Sequence, residues 1–331
     1  RNMETSGKGL SVDPCARVRQ FGSMDQEEQE MKRKPARKPK PPWLKMRIPC
    51  GEAYLRVKGL LRKGQLHPVC QEARCPNLGE CWGEGTATFL ILGKTCTRGC
   101  RFCAVETGRP GGGWDREEPL RIAEAAAAMK LRFVVLTSVD RDDLPDGGAE
   151  AFALTLHALR RAIPGVRTEV LTPDFQGSRA SLETVLLQGR PEVFAHNVET
   201  VRSLTPKVRD RRCSFDTSLQ VLRLAKEILP GQVTKSGLML GMGEKKVEVL
   251  EAMEELRSAG VKILTLGQYL QPTPRHLPVD RFVEPGEFLE FAREGKRMGF
   301  AHVASAPLVR SSYQAALAFE KASNDDPDKN P

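Results

Sequence analysis

The chain has 331 residues, enough for roughly two domains or for one barrel-sized domain with extensions. Its 40% hydrophobic and 28% charged content is typical of a globular protein, and no apolar run approaches the roughly 18 residues of a membrane span. The net charge is +9, but much of the positive charge lies in "MKRKPARKPKPPWLKMR" (31–47), without an aromatic or recognition motif. We therefore interpret this run as a solvated tail rather than a nucleic-acid site.

The N-terminal 45 residues mix "DQEEQE" with this basic run and contain few apolar side chains. Such a composition cannot bury enough apolar surface to fold alone, so we predict a flexible basic extension over 1–45. The stretch lacks the apolar core of a secretory signal, and export is not expected.

Short β-branched runs and helix-like stretches alternate from about residue 86 onward. This alternation predicts parallel strands joined by crossover helices, and its six repeats favour a partial (β/α)6 TIM-type barrel. The predicted strands are 86–93, 132–139, 166–173, 192–198, 233–241 and 262–270, followed by 301–308. The predicted helices are 118–130, 181–189, 218–229, 246–260 and 286–298.

Polar clusters follow most of these strands. They are "TSVDRDD" (137–143), "TPDFQG" (172–177), "HNVET" (196–200), "MGE" (242–244) and "GQYLQPTPRH" (267–276). Each alone is an ordinary turn composition. Because the carboxyl ends of parallel strands meet at one edge of a barrel, the clusters together predict a functional site there.

Six of the nine cysteines crowd between Cys70 and Cys103, which argues for metal ligation in a reducing compartment rather than for disulfides. Cys96, Cys100 and Cys103 follow the first predicted strand in a C-x3-C-x2-C pattern. Three such thiolates could bind zinc or an iron–sulfur cluster. Structural zinc normally takes four ligands, whereas this loop supplies three, so zinc is the alternative hypothesis. A four-iron cluster held by three cysteines leaves one iron open to a small chelating molecule.

The motif "CTRGCRFC" resembles the cluster motif of the radical S-adenosylmethionine (SAM) superfamily. Upstream, "VCQEARCPNLGECW" carries a second triad, and downstream stands "LVRSSYQA" (308–315). The combination resembles the lipoyl synthase family. The similarity covers roughly residues 42–315 and includes "LTSVDRDDLPDGGAE" (136–150) and "TKSGLMLGMGE" (234–244).

The resemblance implies a radical reaction with two [4Fe-4S] clusters. The first cluster passes an electron to SAM, and the resulting 5′-deoxyadenosyl radical removes hydrogen from an octanoyl chain on a carrier-protein lysine. The auxiliary cluster donates sulfur at C6 and C8, leaving a lipoyl group. The implied ligands are Cys96, Cys100 and Cys103 for the first cluster, and Cys70, Cys75, Cys81 and Ser312 for the second, with Ser311 as the alternative to Ser312.

A serine oxygen is a harder and less usual iron ligand than thiolate, which suits an iron that is released while the cluster is dismantled. Five further residues are predicted to hydrogen-bond SAM, with loop stabilisation as the equal alternative. They are Ser138, Asp140, Asp142, Asn197 and Glu199.

The resemblance also implies partners and a domain plan. The partners are an octanoylated carrier (an E2 lipoyl domain or a glycine-cleavage H protein), an electron donor such as ferredoxin or flavodoxin, and an iron–sulfur carrier protein, without nucleic acid or membrane. The segments "PPWLKMRIPCGEAYLRVK" and "LTPDFQG" look mitochondrial, so we predict the mitochondrial matrix, with plastid or bacterial cytoplasm as alternatives. The predicted regions are the extension 1–45, an auxiliary-cluster segment 46–93, the barrel 94–300, and a C-terminal segment 301–331 with the RSSY motif and a disordered tail.

Some features stand outside this pattern. Lys94 replaces the acidic residue that usually precedes the first triad, and Cys15, Cys50 and Cys213 have no assigned role. The rival hypotheses are another two-cluster radical enzyme such as a methylthiotransferase, a non-catalytic zinc or iron–sulfur protein, and a nucleic-acid binder that uses the basic tail.

Overall fold

The computed structural model describes residues 39–44, 77–83 and 85–324. The chain divides into two units, Arg1–Pro39 and Lys40–Pro331, and the fold below is that of the second. The predicted segments 1–45 and 46–93 lie largely outside the described residues. The same is true of four of their cysteines, Cys15, Cys50, Cys70 and Cys75.

Seven strands form one parallel sheet in the order β1-β4-β5-β6-β7-β8-β9. Most of their residues are buried, which is why the sequence shows near-continuous apolar runs there. Their bounds are Thr86–Ile91 (β1), Phe133–Ser138 (β4), Arg167–Leu171 (β5), Val193–Ala195 (β6), Val233–Leu240 (β7), Ile263–Gln268 (β8) and His302–Ser305 (β9).

Two very short strands form a separate parallel pair, with β2 at Thr95–Cys96 and β3 at Glu106–Thr107. Cys96 is opposite Thr107 in this pair, so the pairing joins the start of the cysteine loop to the chain that leaves it. The loop of the first triad is therefore closed at its base by backbone hydrogen bonds.

Helices occupy most of the connections between strands. The helix Phe215–Ile228 begins where the Ser214 hydroxyl accepts the Thr217 N–H at 2.9 Å, which satisfies one of its free donors. None of the described helices has the length and apolar character needed to span a bilayer. The helices are Leu78–Gly83 (α1), Glu118–Ala128 (α2), Ala149–Ala162 (α3), Arg179–Glu183 (α4, continued by a π-helical turn at Thr184–Gly189), Thr205–Val208 (α5), Phe215–Ile228 (α6), Lys246–Ser258 (α7), Pro285–Arg297 (α8) and Ala315–Asn324 (α9); 3-10 turns are Pro42–Leu44, Phe175–Gly177 and Arg202–Leu204.

The predicted partial barrel is confirmed as an open parallel sheet with intervening helices. Its edge strands β1 and β9 do not pair, so the barrel stays open. The sheet has seven strands, because the predicted strand after the six repeats, 301–308, joins it as β9. Four of the described helices were not predicted: the short helices α1 and α5, α3, which begins shortly after the polar cluster 137–143, and α9, which follows the RSSY motif.

Helix α9 packs at the amino ends of the strands. Its buried Ala315, Ala318 and Ala322 share a cluster with the first residues of four strands: Phe133, Val193, Val233 and Ile263. The ring centres of Phe319 and Phe133 are 6.3 Å apart. Small alanine side chains let the helix approach the sheet closely, and the packing anchors the chain just after the RSSY motif.

A buried ion pair joins β5 to β7 across the intervening β6. Lys235 Nζ lies 2.9 Å from both carboxylate oxygens of Glu169, and both side chains are 1% exposed. Burial raises the pKa of Glu169, while the neighbouring ammonium acts to lower it. Each charge depends on the other, because an unpaired ion at this depth is strongly unfavourable.

We expect Lys235→Met to destabilise the protein by about 3 to 5 kcal/mol, since it leaves the Glu169 carboxylate without a cation. The loss should shrink at acidic pH, where protonation of Glu169, whose pKa is already raised by burial, removes the buried charge. Anaerobic urea denaturation measures both effects. Lys246→Met, which breaks an exposed pair with Glu290, is the control and should leave the midpoint unchanged. Equal midpoint shifts for the two variants would contradict this account.

Candidate functional site

The loop of the first triad is held by backbone hydrogen bonds to three other segments. The Thr97 N–H donates to the Asp140 carbonyl at 2.9 Å, after β4. The Arg101 N–H donates to the Val208 carbonyl, and the Leu277 N–H donates to the Arg101 carbonyl, both at 2.9 Å. Segments that lie far apart in sequence therefore determine the position of this loop.

Backbone N–H groups point at two of the loop thiols. The Sγ of Cys96 accepts the N–H of Arg98 at 3.4 Å and that of Asp140 at 3.3 Å. The Sγ of Cys100 accepts the Asp210 N–H at 3.3 Å. Such bonds to sulfur stabilise a thiolate and are typical of iron–sulfur ligands, whose reduction potential they adjust.

Cys103 is fixed through its backbone. Its N–H donates to the Cys100 carbonyl at 3.1 Å, and its own carbonyl accepts from His276 Nε2 at 2.8 Å. The other ring nitrogen of His276 lies 2.8 Å from the Thr273 hydroxyl. His276 therefore supports the loop as a hydrogen-bonding residue.

All three triad cysteines are free and half-buried. Burial, followed by the nearby Asp140 charge, raises the pKa of Cys96 to about 11, and burial likewise raises the pKa of Cys103. A hydrogen bond with Cys213, followed by burial, raises the pKa of Cys100. The thiols therefore carry protons at neutral pH, and metal binding would release them.

Three thiols on one loop fit a four-iron cluster. Across residues 39–44, 77–83 and 85–324, no three His, Cys, Asp or Glu side chains converge on a point that could hold a single metal ion. A cluster needs no such convergence, because each cysteine binds a different iron. The donor set and the N–H bonds to sulfur thus suit a cluster with one iron free of protein.

Sequence analysis missed Arg98, which lies within the first triad. Its side chain is buried and forms two parallel bonds to Asp174, each of 2.7 Å. It also binds Asp142 through Nε at 3.0 Å and Nη2 at 2.8 Å, and its Nε lies 3.3 Å from an oxygen of Asp140. One guanidinium thus joins the cluster loop to the loops that follow β4 and β5. The sequence signal was a basic residue inside the motif and acidic residues after two strands, but nothing paired them.

Cys213, which sequence analysis left without a role, lies against the triad. It is a buried free thiol whose Sγ accepts from Arg98 Nη1 at 3.3 Å. Its hydrogen bond with Cys100, and the positive charges of Arg209 and Arg98, lower the pKa of Cys213 to about 6, although burial acts in the opposite direction. The structure therefore adds a fourth thiol to the surroundings of the first triad.

Two predicted SAM-binding residues leave polar atoms unsatisfied. The Ser138 hydroxyl and the Asn197 side-chain oxygen are buried and have no hydrogen-bond partner within the described chain. The Asn197 amide donates to Glu199 at 3.2 Å, and Glu199 holds a left-handed φ of 67°. Buried orphan atoms cost free energy that a bound polar ligand recovers, so these three residues fit a ligand at the mouth of the barrel.

The close packing of Asn197 and Thr265 against strand β7 depends on a glycine. A Cβ on Gly237 would lie 2.4 Å from the Thr265 hydroxyl and 3.1 Å from the Asn197 oxygen. No side chain fits here without displacing Asn197 or its neighbour. The "SGLML" strand therefore needs glycine to keep the orphan oxygen where it is.

The other two predicted SAM-binding residues are engaged by the protein itself. Asp142 accepts from Arg98, from the Thr97 hydroxyl at 2.9 Å and from Arg212 at 3.0 Å. Asp140 lies beside Arg98, and burial raises its pKa to about 7 against the opposing effect of that cation. These contacts are the loop-stabilising work that sequence analysis weighed equally, and contact with SAM stays a prediction for both carboxylates.

A polar recess opens beside Arg98. It has a volume of about 170 Å³ and lies between the loops that follow β4 and β5. Phe175 and Gln176, on its wall, both adopt left-handed φ angles, of 45° and 52°. This strained turn shapes the recess next to the cluster loop.

The RSSY motif lies against helix α1, which carries Cys81. The Tyr313 hydroxyl and the Gln314 amide both donate to the same oxygen of Glu80, at 3.0 and 3.2 Å. The Asn77 amide donates to the Leu308 carbonyl at 2.8 Å. Ser312, the predicted ligand, and Ser311, its alternative, are half-buried in the turn before Gln314. Of the upstream triad, the buried Cys81 is described, and Cys70 and Cys75 lie outside the described residues.

The fold is shared with radical SAM enzymes. Methylornithine synthase superposes with a TM-score of 0.52 at 16% identity, covering 73% of this chain and 69% of that chain. An FeFe-hydrogenase maturase from Carboxydothermus hydrogenoformans gives 0.51 at 12%, covering 82% and 78%. Residues 90–256 match the sequence profile described as the radical SAM superfamily. The protein is an enzyme of the radical SAM class, and this class binds an iron–sulfur cluster and SAM.

Relatives with higher sequence identity define the family more narrowly. Residues 16–75 match the profile of the N-terminal domain of lipoyl synthase. The chain is 57% identical to lipoyl synthase from Thermus thermophilus, covering 87% of this chain and 89% of the relative. It is 55% identical to that of Halorhodospira halophila (86% and 85%) and 52% identical to the mitochondrial enzyme of Danio rerio (85% and 71%). The chain belongs to the lipoyl synthase family, as the two triads and RSSY predicted.

We expect Arg98→Met to lower SAM cleavage at least about 100-fold, or about 3 kcal/mol, because it leaves buried carboxylates unpaired and frees the cluster loop. Iron content per chain after anaerobic reconstitution should fall in parallel. Arg141→Met is the matched control, since Arg141 is equally buried but pairs with Asp143 rather than with the loop. If the control loses as much iron and activity, Arg98 has no special part in holding the loop.

We expect Glu80→Ala to loosen the RSSY turn, because it removes the acceptor shared by Tyr313 and Gln314. Two bonds of about 1 kcal/mol each correspond to a roughly tenfold or greater rise in local opening. Hydrogen exchange at residues 311–314 measures this opening. Glu80→Gln, which keeps an acceptor oxygen, should show a smaller rise, and Glu124→Ala, at an exposed position of α2, should show none. Unchanged exchange in Glu80→Ala would mean that the turn is held elsewhere.

Proposed function

We propose that this chain inserts two sulfur atoms, at C6 and C8, into a protein-bound octanoyl-lysine to form the lipoyl cofactor. The reaction uses SAM and two [4Fe-4S] clusters, the second of which is consumed as the sulfur source. The proposed ligands are Cys96, Cys100 and Cys103 for the first cluster and Cys70, Cys75, Cys81 and Ser312 for the second.

The first triad supports the cleavage half of this proposal. A cluster bound there would supply the electron that cleaves SAM. The radical that results is needed because unactivated C–H bonds yield to no acid or base at neutral pH. The protein contributes position. Arg98 and its three carboxylates hold the loop, and the buried oxygens of Ser138 and Asn197 offer hydrogen bonds to a polar ligand.

The observation that carries the sulfur-insertion half is the contact between helix α1 and the RSSY turn. Glu80 immediately precedes Cys81, and the residues that bind Glu80 immediately follow Ser312. Segments about 233 residues apart in sequence thus meet where a mixed cysteine and serine ligand set is proposed. A hard serine oxygen suits an iron that must leave when the cluster gives up sulfur.

The partners and the compartment are part of the proposal. The substrate is carried by an octanoylated lipoyl domain or glycine-cleavage H protein, electrons come from a ferredoxin or flavodoxin, and an iron–sulfur carrier rebuilds the auxiliary cluster. We place the enzyme in the mitochondrial matrix on the mitochondrial character of residues 41–58. The relatives include bacterial enzymes and a mitochondrial one, which supports either compartment.

The deciding measurement is iron and acid-labile sulfide per chain after anaerobic reconstitution. We expect two four-iron clusters in the wild type and one in Cys70→Ala/Cys75→Ala/Cys81→Ala, which should still cleave SAM but form no lipoyl product. Cys15→Ala/Cys50→Ala removes cysteines outside both triads and should keep both clusters. A wild type with a single cluster, or with zinc, would rule out the sulfur-donor role of the upstream triad.

A further inference from the structure

Four exposed cations surround the cluster loop. Arg101 lies in the loop itself, Lys207 and Arg211 flank the segment after α5, and Arg275 lies in the loop after β8. Within the described part of the chain, none of the four forms an ion pair with a carboxylate. The charge of each is therefore available to a molecule that approaches the site.

The cations share one region because their segments all contact the cluster loop. Arg101 donates through Nη1 to the Lys207 carbonyl at 3.3 Å. The segment that carries Arg211 also contributes the Asp210 N–H to Cys100, and His276, next to Arg275, binds the Cys103 carbonyl. These contacts place the segments that carry the four cations beside the first triad.

Nearby acids are mostly neutralised within the protein. Asp210 accepts from Arg212 at 2.8 Å and from the Gly99 N–H at 2.8 Å, and Asp142 pairs with Arg98 and Arg212. Glu106 is exposed, and its single negative charge offsets only part of the positive charge of the four cations. The balance of charge beside the loop is positive.

Several exposed cations elsewhere on the protein are paired with carboxylates. Arg116 pairs with Glu150, Arg202 with Asp216 and Glu255, Lys246 with Glu290, and Arg297 with Glu294. Pairing of this kind cancels the field at a short distance from the surface. The four cations beside the cluster loop lack this cancellation by a carboxylate.

We propose that Arg101, Lys207, Arg211 and Arg275 form a docking surface for an acidic face of the carrier domain that bears the octanoyl-lysine. The inference rests on the proposed function, since it requires a substrate that arrives on a protein. An octanoyl chain linked to a lysine reaches the first triad only when the carrier domain lies against the protein surface around the cluster loop. Uncompensated positive charge there attracts and orients a negatively charged domain, and raises its association rate.

The test compares two substrates in the holoenzyme, with dithionite as reductant so that no donor protein is present. One substrate is an octanoylated carrier domain, and the other is a short uncharged peptide with octanoyl-lysine. For Lys207→Glu/Arg211→Glu/Arg275→Glu we expect kcat/KM on the carrier to fall roughly 30- to 100-fold at low salt, and less at high salt. We expect no change on the peptide, in iron content or in SAM cleavage.

The matched control makes the same charge change at the opposite edge of the sheet. Lys130→Glu/Arg161→Glu/Lys296→Glu alters exposed cations at or just beyond the ends of α2, α3 and α8, and should leave the carrier reaction within about threefold of wild type. Arg101→Ala, tested alone because its guanidinium also donates to the Lys207 carbonyl, should show a smaller loss confined to the carrier.

Three results would overturn the docking surface: an equal loss on the peptide, an equal loss in the control, or a loss that appears only when an acidic electron-transfer protein replaces dithionite. The last would assign the cations to the electron donor. A wild type that modifies neither substrate would instead overturn the proposed function, and the docking surface with it.

Discussion

The site depends on one buried cation. Arg98 pairs with Asp140, Asp142 and Asp174, which come from the loops after two neighbouring strands, and it lies inside the cysteine loop. Three carboxylates this close repel one another and cannot all stay ionised without a compensating charge. The planar guanidinium bonds two of them bidentately and stays protonated, which a lysine at this position would not reproduce. Removing this single group would leave these carboxylates without their shared cation and weaken the hold on the cluster loop, which backbone hydrogen bonds also position.

A second constraint operates at the other end of the chain. Helix α9 packs on the amino ends of the strands, and the RSSY turn just before it is held against α1 by exposed hydrogen bonds to Glu80. The anchor is apolar and strong, whereas the contact at the turn is polar and weak. The serine ligand proposed on this turn would combine a fixed location with easy local opening, as the proposed consumption of the auxiliary cluster requires.

The barrel was predictable because its signals are local. Strands buried on both faces show continuous apolar runs, and their spacing by helices indicates parallel pairing. Helix α3 was missed because it follows directly on a glycine turn and a polar loop that suggested a site. Asp142 shows the limit for the site itself: its place after β4 was predicted, but its oxygens bond to Arg98, Thr97 and Arg212. The position of a carboxylate in the sequence does not show which cation or hydroxyl will bond to it.

By itself, the sequence determined the two triads, the RSSY motif, the family and the alternation of strand and helix. These follow from spacing within short segments, where covalent geometry restricts the outcome. Tertiary structure alone decided that Arg98 meets Asp174 across 76 residues, that Cys213 reaches Cys100, and that Glu80 meets Tyr313 across 233 residues. Such pairings depend on how strands twist and helices pack to fill the core, because many partners of the right charge exist in the sequence and only packing brings one within bonding distance.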